Sequence, residues 1–227
     1  MKVTPHAVRA LLAAATVLPL PAQVGVTPSV DSTARRQIVV QAKPSKQDVA
    51  NALAQVKESI LPRCWDEKCN KSDSRRTKYL KKWQAVVSKH YIVFTNGPTS
   101  SSKKYGVTLE KLYSFIKKEL PFEDPKHLLV AYIFKDNEDY YRFSTAITGM
   151  SNPRATAGHA LPSYYATYYE SPRAPTVYHE AAHEIVGACL QINGVGSWWQ
   201  EGMAVYFEKK MTNQRLGSSR SDFKRGD

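Results

Sequence analysis

His179-Glu180-Ala181-Ala182-His183 and, with 17 residues between its second histidine and the glutamate, Glu201 within Ser197-Trp198-Trp199-Gln200-Glu201-Gly202-Met203-Ala204-Val205-Tyr206-Phe207-Glu208 are the two segments that matter most in this chain. The first has the form H-E-x-x-H. Residues four apart on an α-helix differ by about 40° in azimuth and one turn in height. Both imidazoles therefore leave the helix on one side, and their nitrogens can meet one ion at about 2.0–2.1 Å. Glu180 is rotated by about 100° from His179. It can stand beside the ion without ligating it, which is where a general base belongs.

A tetrahedral metal with an open position needs a third protein ligand. Asn193-Gly194-Val195-Gly196 is a turn that reverses the chain. Ser197-x-x-Gln200 has the pattern of a capping box and starts a second helix at Ser197. Glu201 is then expected in the first turn, brought back beside the first helix to complete a set of His179, His183 and Glu201.

The pair of segments resembles the gluzincin metallopeptidases. Gln200-Glu201-Gly202-x-Ala204-x-Tyr206-x-Glu208 is similar to the stretch that supplies the third ligand in the aminopeptidase branch, with Gln200 where that branch often has Asn. The likeness is closer to the small exported proteins called peptidase MA-like, over roughly residues 80–210. It implies one zinc ion, a water nucleophile, hydrolysis of a peptide or protein substrate, His179, His183 and Glu201 as ligands, and Glu180 as base. It also implies that the strand before the zinc helix, Ser163–Glu170, is an edge strand pairing with substrate backbone.

Further residues carry weaker signals. Glu208 lies two turns beyond Glu201 on the same face and either orients a ligand histidine or is a solvated charge. Tyr165 and Tyr168 are candidate substrate-side groups, one of which could donate to an oxyanion, although most of the tyrosines here are expected to be structural. His159, in an expected loop, is a candidate for the cleft or simply an exposed histidine. One of Trp198 and Trp199 is expected in the core. Tyr206 reads as packing, Glu184 as outward-facing or locally paired, and His90 and His127 carry no functional signal.

Outward from the motif, the chain gives an α+β pattern: a small mixed β-sheet packed against helices, with the zinc site on the last two. Residues 83–87 and 91–95 are β-branched and aromatic, as strands require. Residues 100–119 have helical spacing, and Leu128 to Phe134 is a continuous apolar run typical of a buried strand. Asp136 can cap a short helix. Residues 149–162 read as a loop, and helices are expected at about 174–191 and 198–211. The expected organisation is a signal segment over 1–23, a linker and one helix over 24–78, a catalytic domain over 79–212 and a basic tail over 213–227.

The 227 residues, 42% of them hydrophobic, exclude a wholly disordered chain. The net charge of +12 would suit a nucleic-acid binder. No finger, homeodomain or RNA-reading motif accompanies it, so nucleic acid is not an expected partner. Most of the charge reads as a solvated face; attraction to an anionic cell envelope is the sharper alternative. Lys2 and Arg9 with the short apolar run Leu11 to Leu20 resemble a secretory signal, giving a secreted or periplasmic protein. Cys64 and Cys69 could pair in an oxidising compartment, stay free or ligate metal; Cys189 reads as core. The alternative to a peptidase is an inactive zinc-bearing module that holds peptide or envelope polymer without cutting.

Overall fold

The computed structural model describes residues 38–61, 73–190 and 196–213. The signal segment, the Cys64–Cys69 pair, most of the turn before Ser197 and the tail beyond Asn213 lie outside them. The described residues belong to one compact unit.

Five strands make one sheet: β1 (Gln84–Val87), β2 (Tyr91–Thr95), β3 (Leu129–Phe134), β4 (Gly158–Leu161) and β5 (Tyr164–Tyr168). Their order is β1-β2-β3-β5-β4, with β2, β3 and β5 parallel and the two outer strands antiparallel to their neighbours. The central strands are apolar without alternation because helices cover both faces; every residue of β2 and β3 is buried.

On one face pack α3 (Thr99–Glu119), α5 (Pro175–Ile185) and α6 (Ser197–Met211), through Tyr105, Leu109, Ile116, Ala181, Ala204 and Phe207 among others. On the other pack α1 (Lys46–Gln55) and α4 (Asn137–Thr148), over Ile92, Phe94, Tyr132 and Phe134. A further helix, α2 (Asp73–Lys82), leads into β1. The mixed sheet with helices on both faces is the α+β architecture that the sequence pattern implies.

Local chemistry explains several boundaries. Ser45 and Asp48 form a reciprocal capping box at the start of α1. Asp136 accepts the Asp139 N–H at 2.9 Å and starts α4, which ends at Gly149 with φ of 72°, a conformation that glycine adopts without penalty. Pro175 occupies the first turn of α5, where a missing N–H costs nothing.

Four expectations need correction. Residues 149–162 are not all loop: Gly158–Leu161 is β4, paired with β5 across the two-residue turn Pro162-Ser163. Consequently β5 is an interior strand and β4 is the edge. The stretch expected as linker before the first helix also contributes to the core, through Ile38 and Val40, and the helix expected after it adds Val56 and Leu61. Finally, the start of α6 is capped by the backbone of Gly196, with no side-chain cap, so Ser197 is the first helical residue and Glu201 falls just beyond the first turn.

Candidate metal centre

α5 and α6 carry the centre. Ala181, Ala182 and Ala204 are small and buried, which lets the two helices approach closely. That approach brings Glu201 across to the two histidines. His183 Nε2 lies 3.2 Å from His179 Nε2. Glu201 offers Oε2 at 3.2 Å from His179 Nε2 and Oε1 at 3.4 Å from His183 Nε2. One ligand atom from each of the three residues lies within 4.8 Å of the others.

These separations suit one tetrahedral ion. Bonds of about 2.0–2.1 Å at tetrahedral angles put ligand atoms about 3.3–3.4 Å apart. Three protein donors leave one position open. Two imidazoles and a carboxylate are a zinc-type donor set, though not exclusive to zinc.

Glu208, on the next turns of α6, supports the first ligand. Its Oε2 lies 3.1 Å from His179 Nδ1. An ionised carboxylate only accepts, so Nδ1 carries the proton and Nε2 keeps its lone pair for a metal. Of the two sequence alternatives for Glu208, orientation of a ligand histidine is the one the geometry supports. Burial, and next the neighbouring His179, push the pKa of His183 below its ordinary value, keeping that ring neutral.

Glu180 extends from α5 over β4, the edge strand of the sheet. Burial pushes its carboxyl up to about 7; the adjacent His179 opposes the rise and Glu201 adds to it. Its side chain runs over Gly158 of β4 so closely that a Cβ there would stand 2.8 Å from Glu180 Cγ. Thr176 Cγ2 and the Ala166 carbonyl oxygen would be 3.0 and 3.1 Å away. The absence of a side chain at 158 is therefore what admits Glu180 to this place.

The other expected substrate-side residues do not converge here. Tyr165 faces α5 but is fully buried in the core beneath it, and its phenol pKa is pushed well up by burial. Tyr168 points to the opposite face, against Tyr140 and Tyr141. His159 also lies on that face. Its Nδ1 is 3.2 Å from the Tyr140 hydroxyl and its Nε2 is 3.3 Å from the Tyr164 hydroxyl. Burial pushes its pKa down to about 4, so it is a neutral structural histidine at ordinary pH. Trp199 packs on the core while Trp198 is exposed, and Tyr206 is a packing residue against Phe207.

Two residues escaped the sequence reading. Glu184 does not face outward: it is buried, and its Oε1 accepts the Val130 N–H at 3.0 Å. Burial pushes its pKa well above the carboxylate range, so the acid is neutral. The available signal was its place on the apolar stripe of α5 with Val177, Ala181 and Ile185. His90 is also buried, stacked on Tyr113 with ring centroids 3.9 Å apart and bonded through Nδ1 to Glu110 at 2.7 Å.

No protein-family model matches the chain, and no curated protein is similar to it. Among the described residues, no helix is long and apolar enough to cross a membrane.

Proposed function

We propose that this chain is an exported zinc peptidase of gluzincin type, with His179, His183 and Glu201 holding the ion and Glu180 acting as general base. The observation that carries the reading is the approach of two imidazole nitrogens, 3.2 Å apart, to the carboxylate of Glu201, whose two oxygens lie 3.2 and 3.4 Å from them.

Zinc, when bound at such a set, supplies a Lewis acid that polarises a peptide carbonyl and acidifies water. The residues of the chain divide the remaining work. Glu208 holds His179 in the tautomer that leaves Nε2 free. Glu180, adjacent to the first ligand on α5, takes a proton from the attacking water and returns it to the leaving amine. β4, the free edge beside Glu180, is the element against which an extended peptide would lie, a role the resemblance had given to β5. Export is supported by Lys2, Arg9 and the apolar run Leu11 to Leu20.

The test is Glu180→Gln. It should keep one zinc per chain and lower kcat on a peptide mixture by about 10²–10⁴-fold, the usual contribution of a positioned base. Undiminished cleavage by this variant would remove Glu180 from the mechanism. A wild-type protein that holds zinc yet cleaves nothing would favour the binding module.

A further inference from the structure

On the far side of the sheet from β4, the other edge strand has a feature that peptide hydrolysis does not use. β1 ends the sheet, and among the described residues no strand pairs with its outer side. α3 follows β2 in sequence and packs over both β2 and β1. Between β1 and α3 lies an open concavity of about 710 Å³. Val87 and Ser88 form one wall; Lys103, Gly106, Val107 and Lys111 form the other. Val107 and Val87 are 57% and 37% exposed, two of the few large apolar side chains that face solvent.

The charge of this groove is one-sided. Glu110 is its one acidic lining residue, and its carboxylate is already engaged. Oε1 accepts from the Ser88 hydroxyl at 2.6 Å and the His90 N–H at 2.7 Å, and Oε2 faces His90 Nδ1 at 2.7 Å. Lys103 and Lys111 are exposed, and neither has an ion-pair partner among the described residues. Lys82 and Lys89, also exposed, flank the two ends of β1.

We propose that the β1 edge and the overhanging face of α3 form a docking groove for an extended acidic segment of a partner protein. The segment adds to the sheet as a sixth strand beside β1, its backbone pairing with the free edge. Lys103 and Lys111 are eight residues apart on α3, about 12 Å along the helix, with Val107 midway. Four residues of a strand span about 13 Å, and alternate side chains face the same way. A strand running alongside α3 therefore matches the three with an acidic-x-apolar-x-acidic pattern.

Charge decides among the occupants. A second copy would bring its own lysines to the same edge, and such lysines guard edge strands against self-pairing. The segments of this chain outside the described residues are no better suited. Residues 1–37 carry Lys2, Arg9, Arg35 and Arg36 against Asp31, and 214–227 carry Arg215, Arg220, Lys224 and Arg225 against Asp222 and Asp227. Residues 62–72 also have more basic than acidic groups.

The experiment uses the full chain and fluorescence anisotropy of a labelled peptide with Glu-Thr-Val-Thr-Glu between glycine-serine ends. Saturable binding is expected, weakened by added salt and unchanged by chelator, which separates this groove from the metal centre. Two comparison peptides, one with lysines for the glutamates and one with prolines for the threonines, should bind at least about tenfold more weakly, the first by repulsion and the second for want of backbone N–H groups. Lys103→Glu with Lys111→Glu should weaken the acidic peptide by a similar factor and favour the lysine peptide. Val107→Glu, at an exposed position that folding does not depend on, should also weaken it. The proposal is overturned if the acidic peptide does not bind, if the lysine peptide binds the wild type equally well, if neither variant changes affinity, if chelator abolishes binding, or if sedimentation shows a dimer that the peptide cannot displace.

Discussion

Glu208 decides which nitrogen of His179 carries the proton, and its removal leaves that choice to solvent. Glu208→Ala is expected to weaken zinc binding by about 10–100-fold, the usual effect of losing a carboxylate behind a ligand histidine, measured by competition with a coloured chelator. Gly158 acts from the other side. Gly158→Ala puts a methyl against Glu180 Cγ, Thr176 and the Ala166 carbonyl, and overpacking of this kind costs about 1–3 kcal/mol. Chemical denaturation should show that loss, and hydrolysis should fall with it as Glu180 is displaced. His179, Glu180 and His183 were legible because helix period fixes which way they point, and Glu201 because the turn before Ser197 and the resemblance bring a second helix back beside them. Glu208 was half legible, since the same period leaves open whether a partner faces it. Tyr165, Tyr168 and His159 were not, because a strand residue's face depends on register and on which strand lies outside it. Their tyrosine-rich signal was a packing signal.

β4 shows the same limit for whole elements. Gly158-His159-Ala160-Leu161 lacks a β-branched residue, and its strand character comes from pairing with β5 rather than from propensity. The start of α6 misled in a smaller way: the helix does begin at Ser197, but although Ser197 and Gln200 have capping-box identities, Gly196 occupies the cap. The long apolar runs of β2 and β3 and the helical spacing of α3 were readable because covered parallel strands and amphipathic helices each impose their own pattern. Glu184 joins α5 to β3. Leu129 already donates its N–H to the carbonyl of His90, just before β2, so Val130 turns its own toward the β5 side, where strand pairing begins only at Ala131. The Glu184 carboxyl fills that gap. Because the acid is neutral, Glu184→Gln should be tolerated, whereas Glu184→Ala leaves the buried N–H unpaired at a cost of about 1–3 kcal/mol. The sign with pH follows from the raised pKa. Folded wild type retains a proton that the unfolded chain releases above its ordinary value of 4.5, so folding stability from this group falls as pH rises through and beyond that value. In denaturation of the metal-free protein from pH 5 to 8, wild type should lose stability relative to Glu184→Gln; parallel curves would contradict a neutral buried acid.

For the molecule as a whole, the sheet separates two cores, one beneath the metal helices and one beneath α1 and α4. The boundary expected near residue 79 fell where helical and strand signals become dense, but the second core is closed from earlier in the chain, by Val56 and Leu61 of the expected helix and by Ile38 and Val40 of the expected linker. Isolated apolar residues in a polar stretch give little sequence signal, although each can cover a sheet. The candidate metal centre draws its donors from both α5 and α6, so an ion bound there would stabilise the folded chain and not the unfolded one. Titration of zinc into chelator-stripped protein, followed by calorimetry, tests this most directly. Wild type should take up one ion per chain, and a hundredfold excess over Kd should raise Tm by roughly 5–10 °C, with both effects lost in His183→Ala. Wild type that takes up no stoichiometric zinc, or His183→Ala that binds it equally well, would contradict the account.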